Sequence, residues 1–124
     1  MKTILVPTDY SKSALNAVKY AFAYAEATKS KVILFHAYDE PTADLDIVLF
    51  GGYHYGKKEA KENAEKDMKK LVSKMAKAFP SFKPTYVIQP GIASDNILEY
   101  AKQNKINKII MGTNGEHALI KTLF

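Results

Sequence analysis

Three short stretches of this 124-residue chain carry residue types suited to holding a ligand: Pro7-Thr8-Asp9, His36-Ala37-Tyr38-Asp39 and Gly112-Thr113-Asn114-Gly115. Asp9 offers a carboxylate that accepts hydrogen bonds from a sugar hydroxyl or helps to hold a metal, although an aspartate just ahead of a helix is equally a cap. In the third stretch, two glycines let backbone N–H groups approach an anion, and a helix starting there adds about half a positive charge. A tight turn explains the same G-x-x-G spacing, which matches neither the Gly-rich dinucleotide fingerprint nor the phosphate loop ending in Gly-Lys-Ser/Thr. His36 reads as a hydrogen-bonded packing residue, and His54 and His117 have no evident Ser or Asp partner, so no catalytic nucleophile set is read. Three scattered histidines without cysteine give no metal-ligand spacing, and Ser94-Asp95 reads as the start of a helix.

These stretches matter only if elements bring them together. Thr3 to Pro7, Lys31 to Ala37 with Val32 to Phe35 at its centre, and Lys108 to Met111 read as strands, the first two as apolar runs buried on both faces of a parallel sheet, and Thr85 to Ile88 makes a further strand. Ala14, Leu15, Val18, Ala21, Phe22 and Ala25 recur at helical spacing behind a Ser11 or Ser13 cap. Further helices are expected over Lys57 to Phe79 and Ala93 to Asn104, with the methionines of the first as core filler. Alternating strands and helices give right-handed βαβ units and an open parallel sheet with helices on both faces. Ligands in such sheets bind beyond the carboxyl ends of the strands where strand order reverses, which is where all three stretches fall.

Asp39 to Gly56 reads as a long, partly ordered excursion. Glu116 to Phe124 shows a helix-like apolar face of Leu119, Ile120, Leu123 and Phe124, with no returning strand, so residues 1–124 read as one domain that is incomplete at its C-terminus.

Composition narrows the function classes. Hydrophobic residues at 47% and charged residues at 25% are those of a folded globular domain, and no stretch approaches the roughly 20 apolar residues of a membrane span. The net charge of +5 comes from 18 basic residues that are all lysine, without the planar fork that reads guanine, and Lys57 to Ala78 carries eight lysines against four acidic residues. A solvated helix face accounts for that excess better than a nucleic-acid surface. The tyrosines are scattered and form no stacking platform. A cytoplasmic location is expected by default.

Taken in order, Ile4-Leu5-Val6-Pro7-Thr8-Asp9, Val32-Ile33-Leu34-Phe35-His36-Ala37, the Gly91-x-Ala93 turn before Ile97-Leu98, and Ile109-Ile110-Met111-Gly112-Thr113-Asn114-Gly115 resemble the universal stress protein family across the whole chain. The resemblance implies a Rossmann-like sheet, related to the adenine nucleotide alpha hydrolases, of five parallel strands in the order 3-2-1-4-5. It also implies a branch that binds ATP through Gly-x2-Gly-x9-Gly-Ser/Thr. Gly112 and Gly115 match the first half of that pattern, and the third glycine would be the residue after Phe124. The fifth strand is then expected beyond the chain, together with the dimer contacts it usually makes.

By the same resemblance, Pro7, Thr8 and Asp9 lie by the adenosine and Ala37 meets adenine through its backbone. Met111, Gly112, Thr113, Asn114 and Gly115 line ribose and phosphates, with Asn114 where a basic residue is frequent and Ala118 where a glycine is common. The function implied is a regulatory protein of the stress response that binds ATP, with or without Mg2+, as a homodimer. The alternatives are a dimerising interaction module that binds no nucleotide, and an adenylate-transferring or ATP-hydrolysing enzyme, for which no base, phosphate-loop lysine or arginine finger is present.

Overall fold

The computed structural model describes residues 1–40, 53–112 and 118–122, with 53–55 and 118–122 described by their backbone alone. Its elements are β1 (Thr3–Pro7), α1 (Lys12–Thr28), β2 (Lys31–Tyr38), α2 (Tyr53–Ala78), β3 (Thr85–Pro90), α3 (Ala93–Gln103), β4 (Lys108–Gly112) and β5 (Ala118–Thr122). They form an α/β fold whose sheet has the order β3-β2-β1-β4-β5. β1 runs parallel to β2, with Thr3 opposite Lys31 and Pro7 opposite Phe35, and parallel to β4 on its other side. β2 is also parallel to β3.

Side chains alternate across the sheet as the pleat requires. Ile4, Val6, Val32 and Leu34 point to the face covered by α1 and α2, where they meet Val18, Phe22, Met68 and Met75. Leu5, Phe35 and Ile109 point to the other face and pack on Ile97 and Ala101 of α3. The strands therefore have apolar side chains on both faces, which is why they read as continuous runs rather than alternating ones.

Two expectations are corrected. The helix expected from Lys57 begins at Tyr53, so Gly56 lies in its first turn; the rest of the 39–56 excursion, residues 41–52, lies outside the described residues. The segment expected to be helical and to lack a returning strand instead contains β5, antiparallel to β4 with Gly112 opposite Ala118 and Lys108 opposite Thr122. Among the described residues this segment thus adds an antiparallel strand at the β4 edge in place of the expected helix. Five residues join β4 to β5, far fewer than the dozen or more of a parallel crossover, so the chain can only turn back on itself.

α1 shows the local rules at both ends. The Ser11 side chain accepts the Ala14 N–H at 3.2 Å, which settles the cap between the two serines. Lys29 closes the helix in the left-handed region at φ 56°, its N–H donating to the Ala25 carbonyl. A side chain there costs about 1–2 kcal/mol, partly offset by glycine's greater freedom in the unfolded chain, so Lys29→Gly is expected to stabilise the protein by about 0.5–1 kcal/mol. A rise in the denaturation midpoint with unchanged slope is the check; a fall would contradict the cap.

Candidate functional site

Reading the order β3-β2-β1-β4 along the sheet, the chain runs outward from β1 to β2 and β3 and then crosses over to β4 on the other side of β1. The strands diverge at their carboxyl ends there, and a cleft of about 210 Å³ opens between them. The residues expected at the site converge on it: Pro7, Thr8 and Asp9 from the end of β1, Ala37 from β2, and Met111 and Gly112 from β4. Thr113, Asn114 and Gly115 lie outside the described residues. Ala14, Ala93 and Ile97 complete the walls and were not foreseen. Ala14 and Ala93 are small side chains in the first turns of α1 and α3, and Ile97 is on the buried face of α3.

The β1–α1 turn is built by its own side chains. Asp9 Oδ1 accepts the Ser11 N–H at 2.9 Å, and Thr8 Oγ1 accepts the Tyr10 N–H at 3.0 Å. Asp9 is therefore an Asx-turn residue with an exposed carboxylate, and Ser11 is the cap. The Ser11 hydroxyl, then its amide, hold the Asp9 carboxyl below its ordinary value of 3.8, with a smaller contribution from His36. Tyr10, between them, sits at φ 65°, a strained conformation for an aromatic residue.

His36 has the hydrogen-bonded role expected of it, and it also lines the cleft. Its Nδ1 lies 2.7 Å from the Thr8 carbonyl oxygen. A carbonyl only accepts, so Nδ1 carries a proton and donates it to Thr8. The Tyr10 ring covers the imidazole at 4.6 Å between centroids.

Ala37 has the most informative backbone. The β1–β2 ladder ends at Pro7 opposite Phe35, with the Thr8 N–H donating to the Phe35 carbonyl at 2.8 Å. In a parallel strand successive residues direct their N–H and C=O to alternate sides. His36 and Tyr38 therefore face β3, where the Tyr38 carbonyl accepts the Gly91 N–H, and Ala37 faces the β1 side past the end of that strand. One donor and one acceptor, side by side, thus point into the cleft.

α3 begins at its rim. Ile92 precedes the helix and supplies no side-chain cap, so the first N–H groups and the positive end of the helix dipole are presented near Ala93. A larger depression of about 710 Å³ lies among Lys66, Lys69, Lys70 and Lys74 on α2. Its described walls are solvated side chains of one helix, without converging backbone groups, so the strand-end cleft is the better candidate. Among the described residues no group of three His, Asp or Glu could hold a metal ion, and no helix is long and apolar enough to cross a membrane.

Comparison with known proteins agrees with this architecture. The chain is 30% identical to Universal stress protein MJ0577 of Methanocaldococcus jannaschii over 98% of its own length and 82% of the relative's. The solved structure of hypothetical protein MJ0577 matches with a TM-score of 0.72, over 92% of this chain and 76% of that one. Universal stress protein UspA from Lactobacillus plantarum matches at 25% identity and a TM-score of 0.71, over 94% of this chain and 81% of that one. A universal stress protein solved in complex with cAMP shares the fold at 24% identity and a TM-score of 0.60, covering 89% of this chain and 75% of its own. A family model described as the Universal stress protein family matches residues 1–124. With the strand order, the switch-point cleft and these relatives in agreement, the chain belongs to the universal stress protein family.

Proposed function

We propose that this chain binds an adenine nucleotide, ATP with or without Mg2+, in the strand-end cleft, as a regulatory ligand of a cytoplasmic, homodimeric stress-response protein. The observation that carries the reading is the Ala37 backbone, whose adjacent N–H and C=O face the cleft beyond the β1 ladder. Adenine presents a ring-nitrogen acceptor beside an amino donor, the complement of that pair. Asp9, kept ionised by Ser11, offers an acceptor for ribose hydroxyls. Pro7, Thr8 and Met111 wall the nucleoside, and the phosphates run past Gly112 toward Thr113, Asn114 and Gly115. The described cleft, about 210 Å³, is smaller than the roughly 300–1,000 Å³ of drug-sized sites, which suits a nucleoside with its phosphates outside. The cAMP complex of a relative is a precedent on the same fold. No catalytic group is assigned.

Calorimetric titration of ATP with Mg2+ tests this on the 124-residue chain and on one extended past Phe124 through a Gly-Ser/Thr segment. Saturable binding by either is expected, weakened at least about tenfold by Asp9→Ala or by Ala37→Pro, which removes the cleft-facing donor without taking one from the β2–β3 ladder. Binding by neither chain, or affinity unchanged in both variants, overturns the reading.

The pH dependence has a definite sign. A carboxyl whose folded value is depressed keeps its charge-dependent contribution at and above its ordinary 3.8 and loses it as pH falls through the lower folded value. The Asp9-dependent part of the affinity, read as the difference between the parent and Asp9→Ala, should therefore stay level as pH falls from neutral to about 3.8 and decline only below it. A decline of that difference already well above 3.8 would assign the dependence to a group other than Asp9.

A further inference from the structure

A second cavity, of about 340 Å³, lies behind the first, between α1 and the middle of α2. Its floor is the Tyr10 ring with Leu15 and Leu71; its rim is Asp67, Lys70 and Lys74. Thr8 lines both cavities, so the β1–α1 turn is the wall between them. Tyr10 is the strained residue of that turn. One side of its ring meets His36 in the first cleft, and its hydroxyl donates to the Ala64 carbonyl of α2 at 3.4 Å. Burial, with the Asp67 charge beside it, holds the phenol above its ordinary range and keeps it a neutral donor.

We propose that this crevice is a second small-molecule site, for a compact amphipathic anion: an apolar or aromatic body on Tyr10, Leu15 and Leu71 with one carboxylate, phosphate or sulfonate on Lys70 and Lys74. Lys70 and Lys74 are the two lysines that line the crevice. Lys57, Lys58 and Lys69 are each engaged by a glutamate, whereas among the described residues Lys70 and Lys74 have no ion-pair partner. Four residues apart on one helix, they sit on the same face one turn from each other. Two cations against the single carboxylate of Asp67 leave the rim net positive over an apolar floor, the combination that selects an anion with a hydrophobic body. A ligand seated there meets Tyr10, the residue that also contacts His36, so the two cavities share one wall.

The probe is anilinonaphthalene sulfonate, an aromatic body with one sulfonate, titrated into the chain by fluorescence without nucleotide, so the result is independent of the ATP reading. The expected result is saturable binding of one probe per chain, weakened about tenfold by Lys70→Gln and by Lys74→Gln and unchanged by Lys66→Gln and Lys77→Gln. The two control variants make the same charge change on the same helix at positions that do not line the crevice, and all four positions are exposed, so folding is preserved. Equal weakening by all four variants, no weakening by Lys70→Gln and Lys74→Gln, or no saturable binding overturns the proposal.

Discussion

Gly112→Ala is expected to destabilise the protein by about 3 kcal/mol, near the upper end for overpacking, and to lower its melting temperature by roughly 10 °C. A Cβ at this position would stand 2.6 Å from the Ser13 carbonyl oxygen, 2.7 Å from its carbon and 2.9 Å from the Ala14 nitrogen. All three are backbone atoms in the first turn of α1, so no rotamer can move aside and either the helix or β4 must shift. The demand on this residue is the close approach of strand to helix, in addition to the ligand-lining role the resemblance gives it. Because Ala14 and Gly112 both wall the cleft, a shift at that contact also widens the proposed nucleotide site. Thermal and chemical denaturation check the first consequence, and ATP titration of the same variant checks the second. A melting temperature within about 2 °C of the parent would show that the helix yields at little cost, and the close-packing account would fail.

Phe22→Ala is expected to cost about 3–5 kcal/mol, a large share of the 5–15 kcal/mol that holds a domain of this size together. Phe22 is fully buried on α1, and its ring lies 5.5 Å from that of Phe79 and 5.3 Å from that of Phe82, both tilted. The three rings join α1 to the segment after α2, so removing the central one leaves a cavity and two aromatic contacts unmade. Tyr20 is on the same helix but 48% exposed, and its replacement by alanine should change stability by no more than about 0.5 kcal/mol. Urea denaturation of both variants checks the contrast. Equal effects would mean that α1 does not bury the face its periodicity assigns to it.

Why some features could be read beforehand and others could not follows from the range of the interactions. β1 and β2 were legible because burial on both faces leaves an unbroken apolar run, and α1 because Ala14, Val18, Ala21, Phe22 and Ala25 hold one helical stripe. β5 is not legible in the sequence because five residues are too few to separate a helical from a strand period, and its direction depends on the length of the turn before it. The start of α2 was placed late because Gly56 reads as a breaker, whereas a helix of 26 residues tolerates one glycine in its first turn.

The sequence by itself determined the alternation of strands and helices, the faces they bury, and, through the rule for open sheets, the end of the sheet where Pro7, Thr8, Asp9, Ala37, Met111 and Gly112 meet. Those are consequences of local periodicity and of elements that neighbour one another in the chain. Only the tertiary structure decided that Gly112 must be small for the sake of Ser13, that Ala37 faces past the end of β1, and that Tyr10 stands between two cavities. Each of these depends on the distance or register between residues far apart in sequence, which is set by packing and has no signature in the spacing of residue types along the chain.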